Sequence, residues 1–214
     1  MTKKERALAL IERLEQTYPD AICSLDYDEP WKLLVAVRLS AQCTDARVNI
    51  VTQDLFARYP TMEAIAEADI DELTDIVRPC GLGPGKARDI KKAMTILLEK
   101  YTGRIPDTME ELLALPGVGR KSANLILGDI YGQPAYVADT HCIRITGRMG
   151  LTDGSKDPKQ VEDQLRKVLP PEKSNDFCHR MVLHGRAVCT ARKANCEICP
   201  CADVCKQVKV SAGS

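Results

Sequence analysis

Aromatic residues are scarce in this chain: two Phe, one Trp and six Tyr make up only 4% of 214 residues. Any core must therefore be aliphatic. Hydrophobic residues, at 44%, suffice for one large domain or two small ones. Long apolar runs are also missing, and no stretch reaches the ~18 residues that a membrane helix needs. Residues 1–13 carry charge throughout and lack the apolar centre of a secretion signal. We therefore expect an intracellular, cytoplasmic protein. In a reducing compartment the ten cysteines are more plausible as thiols or metal ligands than as disulfides. No alternating apolar/polar strand pattern is found, which points to an all-α fold.

Net charge is missing too, since 30 basic residues balance 30 acidic ones. The total gives no pointer to a polyanionic partner, but the distribution is uneven. Residues 61–77 hold six acidic residues and no Lys or Arg. Residues 78–104 hold seven basic residues against Asp89 and Glu99, and residues 178–209 hold six against Glu197 and Asp203. A neutral total can hide a basic face opposite an acidic one, although such runs are also ordinary on solvated helices.

What is present is helical periodicity. Ala7, Leu10, Ile11 and Leu14 form one apolar stripe, and Val48, Val51 and Leu55 a second. Ile90, Ala93, Met94 and Leu97 form a third, and Val161, Leu165 and Val168 a fourth. Thr108 with Glu111 fits a capping box, and Asp157-Pro158 fits an N-cap followed by Pro at the first helical position. About ten short helices joined by Gly/Pro turns are predicted, with a loose tail over residues 210–214.

Four cysteines crowd into seventeen residues: Cys189, Cys196, Cys199 and Cys205 read C-x6-C-x2-C-x5-C. Four thiolates held by tight loops suit a [4Fe-4S] cluster or a structural zinc. The single C-x2-C pair with uneven flanks favours the cluster, and the alternative of plain buried thiols is weak. Cys201 lies inside the motif and is expected not to be a ligand, although a shifted register would let it replace a neighbour. Arg192 and Lys193 lie between the first two ligands, on a loop whose pinned ends would present positive charge to phosphates at little ordering cost.

A second motif, Leu115-Pro116-Gly117-Val118-Gly119, separates a short capped helix from a helical run beginning near Arg120. Two glycines in five residues permit a tight turn with close backbone approach. Their amides beside a helix N-terminus form an anion site suited to a DNA phosphate, binding without reading sequence. Cys80-Gly-Leu-Gly-Pro-Gly-Lys86 is a weaker echo of that pattern. It is either a second backbone contact or merely a turn.

The stretch LPGVGRKSANLIL, the segment VADTHCIR at residues 137–144 and the four-cysteine motif together resemble the helix-hairpin-helix DNA glycosylase superfamily. Within it they resemble the endonuclease III branch, as does Ser40-Ala-Gln-Cys-Thr-Asp45. The resemblance spans almost the whole chain in order. It implies two lobes: a six-helix barrel over residues 21–133, and a cluster-bearing lobe from residues 1–20 and 134–214. It implies a base-excision repair enzyme, a DNA glycosylase with AP-lyase activity on oxidised pyrimidines in duplex DNA; a monomer is expected, since no stretch reads as an oligomerisation seam. A bacterial or archaeal type of enzyme associated with the nucleoid is implied, with no membrane partner and no nucleotide cofactor.

By the same resemblance Lys121 and Asp139 are the catalytic pair. Leu115, Gly117, Val118, Gly119 and Arg120 form the DNA-holding hairpin. Gln42 fills the space opposite the estranged base, Leu82 wedges between bases, and His141 contacts the flipped nucleotide. Taken singly, Lys121 also fits a solvated surface lysine, Asp139 an N-cap, Leu82 a core leucine and His141 an interior histidine. Asp139 can serve as cap and catalyst together. A helix N-terminus and partial burial would both disfavour the ammonium form of Lys121, whereas Asp139 would favour it and accept a proton during reaction. Gly83 and Gly85, around Pro84, depart from the branch's usual pattern and are expected to alter the flexibility of the wedge loop. Where adenine-specific relatives carry a catalytic Glu, Arg38, Leu39 and Ser40 stand here. Three competing functions are a monofunctional glycosylase for mismatched adenine or thymine, a non-catalytic DNA-binding module, and a redox protein.

Overall fold

The computed structural model describes residues 1–207, so the loose tail expected over 210–214 lies outside it. The described chain is all-helical: α1 (Lys3–Thr17), α2 (Pro30–Leu39), α3 (Asp45–Arg58), α4 (Met62–Glu67), α5 (Ile70–Val77), α6 (Gly83–Tyr101), α7 (Met109–Leu113), α8 (Arg120–Tyr131), α9 (Thr140–Met149), α10 (Pro158–Arg166) and α11 (Ser174–Ala187). Short 3₁₀ turns occupy Arg78–Cys80, Pro171–Lys173 and Cys196–Ile198. The β-pairing described is one isolated bridge between Cys189 and Ala194.

Side-chain caps start most of these helices. Thr2 and Glu5 make a reciprocal capping box on α1. Asp157 caps α10 through the amides of Lys159 and Gln160, with Pro158 at the first helical position. Thr108 accepts from the Glu111 amide at 3.3 Å, but the Glu111 carboxylate takes the Thr108 hydroxyl at 2.8 Å. The predicted box there is thus half formed. The predicted stripes of α1, α3 and α6 are buried throughout. Val168 is the exception in the fourth stripe, because α10 ends at Arg166 and Leu169 fills the core position instead.

The chain divides into two compact units, one of Met1–Ile22 with the chain from Gly132 onward, the other Cys23–Tyr131. The second unit is organised by α2. Seven of its ten residues are buried, as expected of a helix apolar on all sides. α8 and α3 pack on α2, and α6 packs on α4 and α5. In the first unit α11 packs against α1 and α9. Its core includes Leu10, Leu14, Tyr136, Ile145, Leu165 and Phe177.

Candidate active site and metal centre

The hairpin lies in the Cys23–Tyr131 unit, where α7, a turn over residues 114–119 and α8 follow one another. Leu115 is 3% exposed, so its side chain packs in the core and only its backbone could meet DNA. Val118 packs partly against the same core, and its amide is spent on the Leu115 carbonyl at 3.2 Å. Gly117 has φ +72°, a left-handed conformation that suits glycine. A Cβ there would also lie 2.3 Å from Arg38 Nε. Gly119 and Arg120 lead into α8, and the Gly119 carbonyl accepts the first intrahelical bond, from Ala123.

Lys121 stands in the first turn of α8, where the helix dipole is positive. Ala123, Ile126 and Leu127 anchor that helix in the core, so the position of Lys121 is fixed while its side chain is exposed. The expected partial burial of Lys121 is therefore corrected, because the protein alone leaves this amine in water.

Gln42 and Leu82 lie in the same unit, both exposed and both in left-handed backbone, with φ of 58° and 51°. Leu82 is 62% exposed and so is not a core leucine. The Gly83-Pro84-Gly85 segment forms the first turn of α6 and is not a loose loop. A Cβ on Gly83 would stand 3.2 Å from Arg78 Cα, so the absent side chain permits close packing. Lys86, the last residue of the weaker glycine motif, is fully buried and presents no charge to a phosphate.

Asp139 lies in the other unit and caps α9, its Oδ1 accepting from the Cys142 amide at 2.7 Å. One oxygen is thus committed to structure, and the other is left for a second task. Two residues on, the half-buried His141 turns Nδ1 towards Arg144 Nη2 at 3.2 Å. A Cβ on Gly185 would come within 2.3 Å of that same nitrogen. The His141 ring is therefore held by protein on its Nδ1 side.

All ten cysteines are free thiols. Cys189, Cys196, Cys199 and Cys205 line one cavity together with Arg148 and His184. Cys201 is fully buried outside that lining. Its thiol donates to Cys199, and this bond, followed by the contact with His184, holds the Cys199 thiol below the ordinary thiol range. Cys201 is raised in return. Among the described residues no three His, Cys, Asp or Glu side chains converge tightly enough for a single ion. The Arg192–Lys193 loop is exposed and pinned at its base. Thr190 Oγ1 donates to the Lys193 carbonyl at 2.6 Å and accepts the Lys193 amide at 3.1 Å.

Residues 35–171 match the family model described as HhH-GPD superfamily base excision DNA repair protein. The chain belongs to that superfamily. Among similar HhH-GPD proteins is the endonuclease III of Synechocystis sp., 44% identical over 98% of this chain and 96% of its own. The endonuclease III of Escherichia coli (strain K12) is 39% identical over 95% of this chain and 96% of its own. A solved structure of a trapped endonuclease III–DNA covalent intermediate superposes with a TM-score of 0.91 at 38% identity, covering 99% of this chain and all of that one. A thermostable thymine-DNA glycosylase, 19% identical with a TM-score of 0.86, shares the fold.

For this HhH-GPD chain, several groups around the cysteines left no trace in the cysteine spacing. His184 is fully buried, with Nδ1 3.2 Å from the Tyr18 hydroxyl and Nε2 3.6 Å from Cys199 Sγ. One tautomer satisfies both contacts: Tyr18 donates to Nδ1, and Nε2–H donates to the sulfur. On α9, Arg148 Nη1 contacts Cys189 Sγ at 3.4 Å and the Thr190 carbonyl at 2.8 Å. Arg144 Nη2 donates to the Cys189 carbonyl at 2.9 Å. The i, i+4 spacing of these two arginines was visible, but their target came from a distant segment.

Proposed function

We propose that this chain is a bifunctional DNA glycosylase and AP lyase that removes oxidised pyrimidines from duplex DNA, with Lys121 as nucleophile and Asp139 as its carboxylate partner. The observation that carries this is Lys121 itself. It is a solvent-reachable amine in the first turn after the hairpin, in a chain 38–44% identical to endonuclease III proteins over nearly its whole length. A monofunctional glycosylase would have no use for such an amine, and a pure DNA-binding module none for the pair.

The chemistry follows from the groups. A lysine amine is ordinarily protonated at neutral pH, so it must lose a proton before attack. Glycosidic cleavage builds positive charge on the sugar, which the second oxygen of Asp139 stabilises. The neutral Lys121 amine attacks C1′ and the base departs, taking a proton. Ring opening then leaves an imine between Nζ and C1′. The imine acidifies the C2′ hydrogen, and loss of that proton expels the 3′ phosphate by β-elimination. Because Lys121 is exposed, bound DNA supplies the exclusion of water that strengthens these interactions.

The amides of Gly117 and Gly119, beside the first turn of α8, hold a backbone phosphate in this reading. Arg192 and Lys193 add screened positive charge from the pinned loop. The target nucleotide leaves the stack at a cost of about a few kcal/mol, least for a damaged base that stacks poorly. Gln42 and Leu82 occupy the gap it leaves.

The four cysteines fit a [4Fe-4S] cluster better than a zinc ion. Zn–S bonds of about 2.3 Å would draw the sulfurs around a single point, whereas a cluster brings its own iron and sulfide and holds thiolates further apart. The lining of one cavity by all four cysteines, and a spacing with a single C-x2-C pair and uneven flanks, agree with the latter. Cys189, Cys196, Cys199 and Cys205 would be the ligands and Cys201 a hydrogen-bond donor to one of them. When bound, the group would staple the loop after α11 and so hold Arg192 and Lys193 in place.

A thymine-glycol duplex incubated with and without borohydride tests the reaction. The wild type is expected to nick the strand and to give a covalent adduct when the imine is reduced. Lys121→Ala is expected to lose both, with DNA affinity changed by less than about threefold, since the hairpin contacts remain. A full adduct yield in Lys121→Ala would assign the nucleophile to another amine. For the metal, about four iron and four acid-labile sulfide per chain are expected, with a visible charge-transfer band. One zinc per chain would overturn the cluster assignment.

A further inference from the structure

Lys86 is fully buried one turn inside α6, an unusual place for an ammonium. Its Nζ donates to three main-chain carbonyls: Leu39 at 2.7 Å, Ala41 at 2.7 Å and Cys80 at 2.8 Å. An ammonium has three N–H donors, so all three are satisfied. The carbonyls belong to two segments distant in sequence, the end of α2 with the turn after it, and the Arg78–Cys80 turn.

Each segment leads within one or two residues to a strained position. Gln42 follows Ala41 directly, and Leu82 follows Cys80 by two. Both have left-handed backbone, which residues with a Cβ adopt only when their surroundings enforce it. The one other described non-glycine residue with positive φ, Thr102, lies at the C-cap of α6, where that conformation is common. Glycine at Gln42 or Leu82 would remove the strain but also the side chain. The two strained tips are exposed, and a single buried cation holds the backbone behind both.

We infer that Lys86 is a positioning residue: it clamps the Gln42 and Leu82 loops to one point, fixing both side chains for insertion before DNA arrives. This rests on the reading that Gln42 and Leu82 enter the duplex. The benefit is preorganisation, because two loops already ordered need not be ordered on binding. Through them Lys86 supports the extruded state of the nucleotide, and it does so without touching substrate.

A double-mutant cycle tests the inference, with a duplex carrying a tetrahydrofuran abasic analogue as the probe. Lys86→Met keeps the length of the side chain and removes its donors. It is expected to weaken affinity for that duplex by about tenfold, with affinity for intact duplex changed by less than about twofold. In a Gln42→Ala/Leu82→Ala background the same substitution is expected to cost less than about twofold more, because the side chains it positions are gone. Equal losses in both backgrounds would overturn the clamp, since a merely structural lysine would behave that way. Should Lys86→Met not fold, amide exchange in the wild type decides. Residues 41–43 and 80–83 are expected to open together, and independent opening overturns the inference. A wild type that neither nicks nor forms the trapped adduct would sink the proposed function and this inference with it. An active wild type with an additive cycle would sink the clamp alone.

Discussion

Arg38 shows how a residue acquires meaning only from its neighbours. Its guanidinium pairs with Asp89, Nη2 to Oδ2 at 2.7 Å and Nε to Oδ2 at 2.8 Å, under the hairpin. Gly117 lies against this pair, and a Cβ there would stand 2.3 Å from Arg38 Nε, 2.4 Å from Arg38 Cδ and 2.9 Å from Asp89 Oδ2. Two independent penalties therefore fall on Gly117→Ala, the left-handed φ of +72° and the collision. Together they are expected to destabilise the protein by about 1–3 kcal/mol in urea unfolding. In an Arg38→Ala background the collision with Arg38 is relieved, while the close approach to Asp89 and the backbone penalty stay, so Gly117→Ala should cost measurably less there. Identical costs would leave the backbone and Asp89 as the whole cause. The need for glycine in the hairpin was legible from LPGVG. The reason it also needs the absence of a side chain was not, since Arg38 and Asp89 come from α2 and α6. The burial of Lys86 was not legible for the same reason. Its sequence neighbours suggest a surface cation entering a helix, and its burial is decided by carbonyls from elsewhere.

At the scale of single elements, local signals served well. Asp157-Pro158, Thr108 and the apolar stripes marked α10, α7, α1, α3 and α6, because caps and periodicity involve residues within a turn or two of each other. The start of α6 is where they fell short. Gly83-Pro84-Gly85 suggests a loop, yet it forms the first helical turn, and its glycines are not equivalent. A Cβ on Gly83 would press on Arg78 Cα at 3.2 Å and on the Thr74 carbonyl at 3.3 Å, both backbone. A Cβ on Gly85 would meet open space. Gly83→Ala is thus expected to destabilise by about 1–3 kcal/mol, the cost of overpacking against atoms that cannot yield easily. Gly85→Ala is expected to stabilise by about 0.5–1 kcal/mol through a less flexible unfolded chain. Thermal or urea unfolding of the two variants gives the comparison, and a matching sign would refute it.

The charge runs also change character once folded. Lys86 is buried, Lys91 donates to the Ala68 carbonyl and Arg78 pairs with Asp75, so part of the basic run over 78–104 is spent inside its own unit. The exposed Arg192 and Lys193 are freer to act at long range. Arg192→Ala/Lys193→Ala is expected to lower the slope of log affinity against log salt by about 2, with little change in discrimination between intact and damaged duplex. An unchanged slope would take this loop off the DNA.

Across the whole molecule, the feature least visible in local pattern is the pairing of the two chain ends. Arg13 Nε donates to Asp203 Oδ1 at 3.0 Å, and Arg6 Nε to the Val204 carbonyl at 3.0 Å, so α1 is tied to the segment carrying the last cysteines. Tyr18, just after α1, reaches Cys199 through His184. Periodicity carries no information about such distant partners, and the assignment of both ends to one lobe came from family resemblance. The arrangement has a thermodynamic consequence. The proposed cluster, held by four thiolates of the folded unit, would stabilise that unit, while the Cys23–Tyr131 unit has its own aliphatic core around α2. Removal of the iron by chelator and mild oxidant is expected to speed amide exchange in α11 and residues 188–205 by more than about tenfold, with α1 loosened through its contacts to that segment. Amides of α2 and α8 are expected to keep their protection. Exchange that rises equally in both units, or in neither, would mean the cysteine loop does not carry the stability assigned to it.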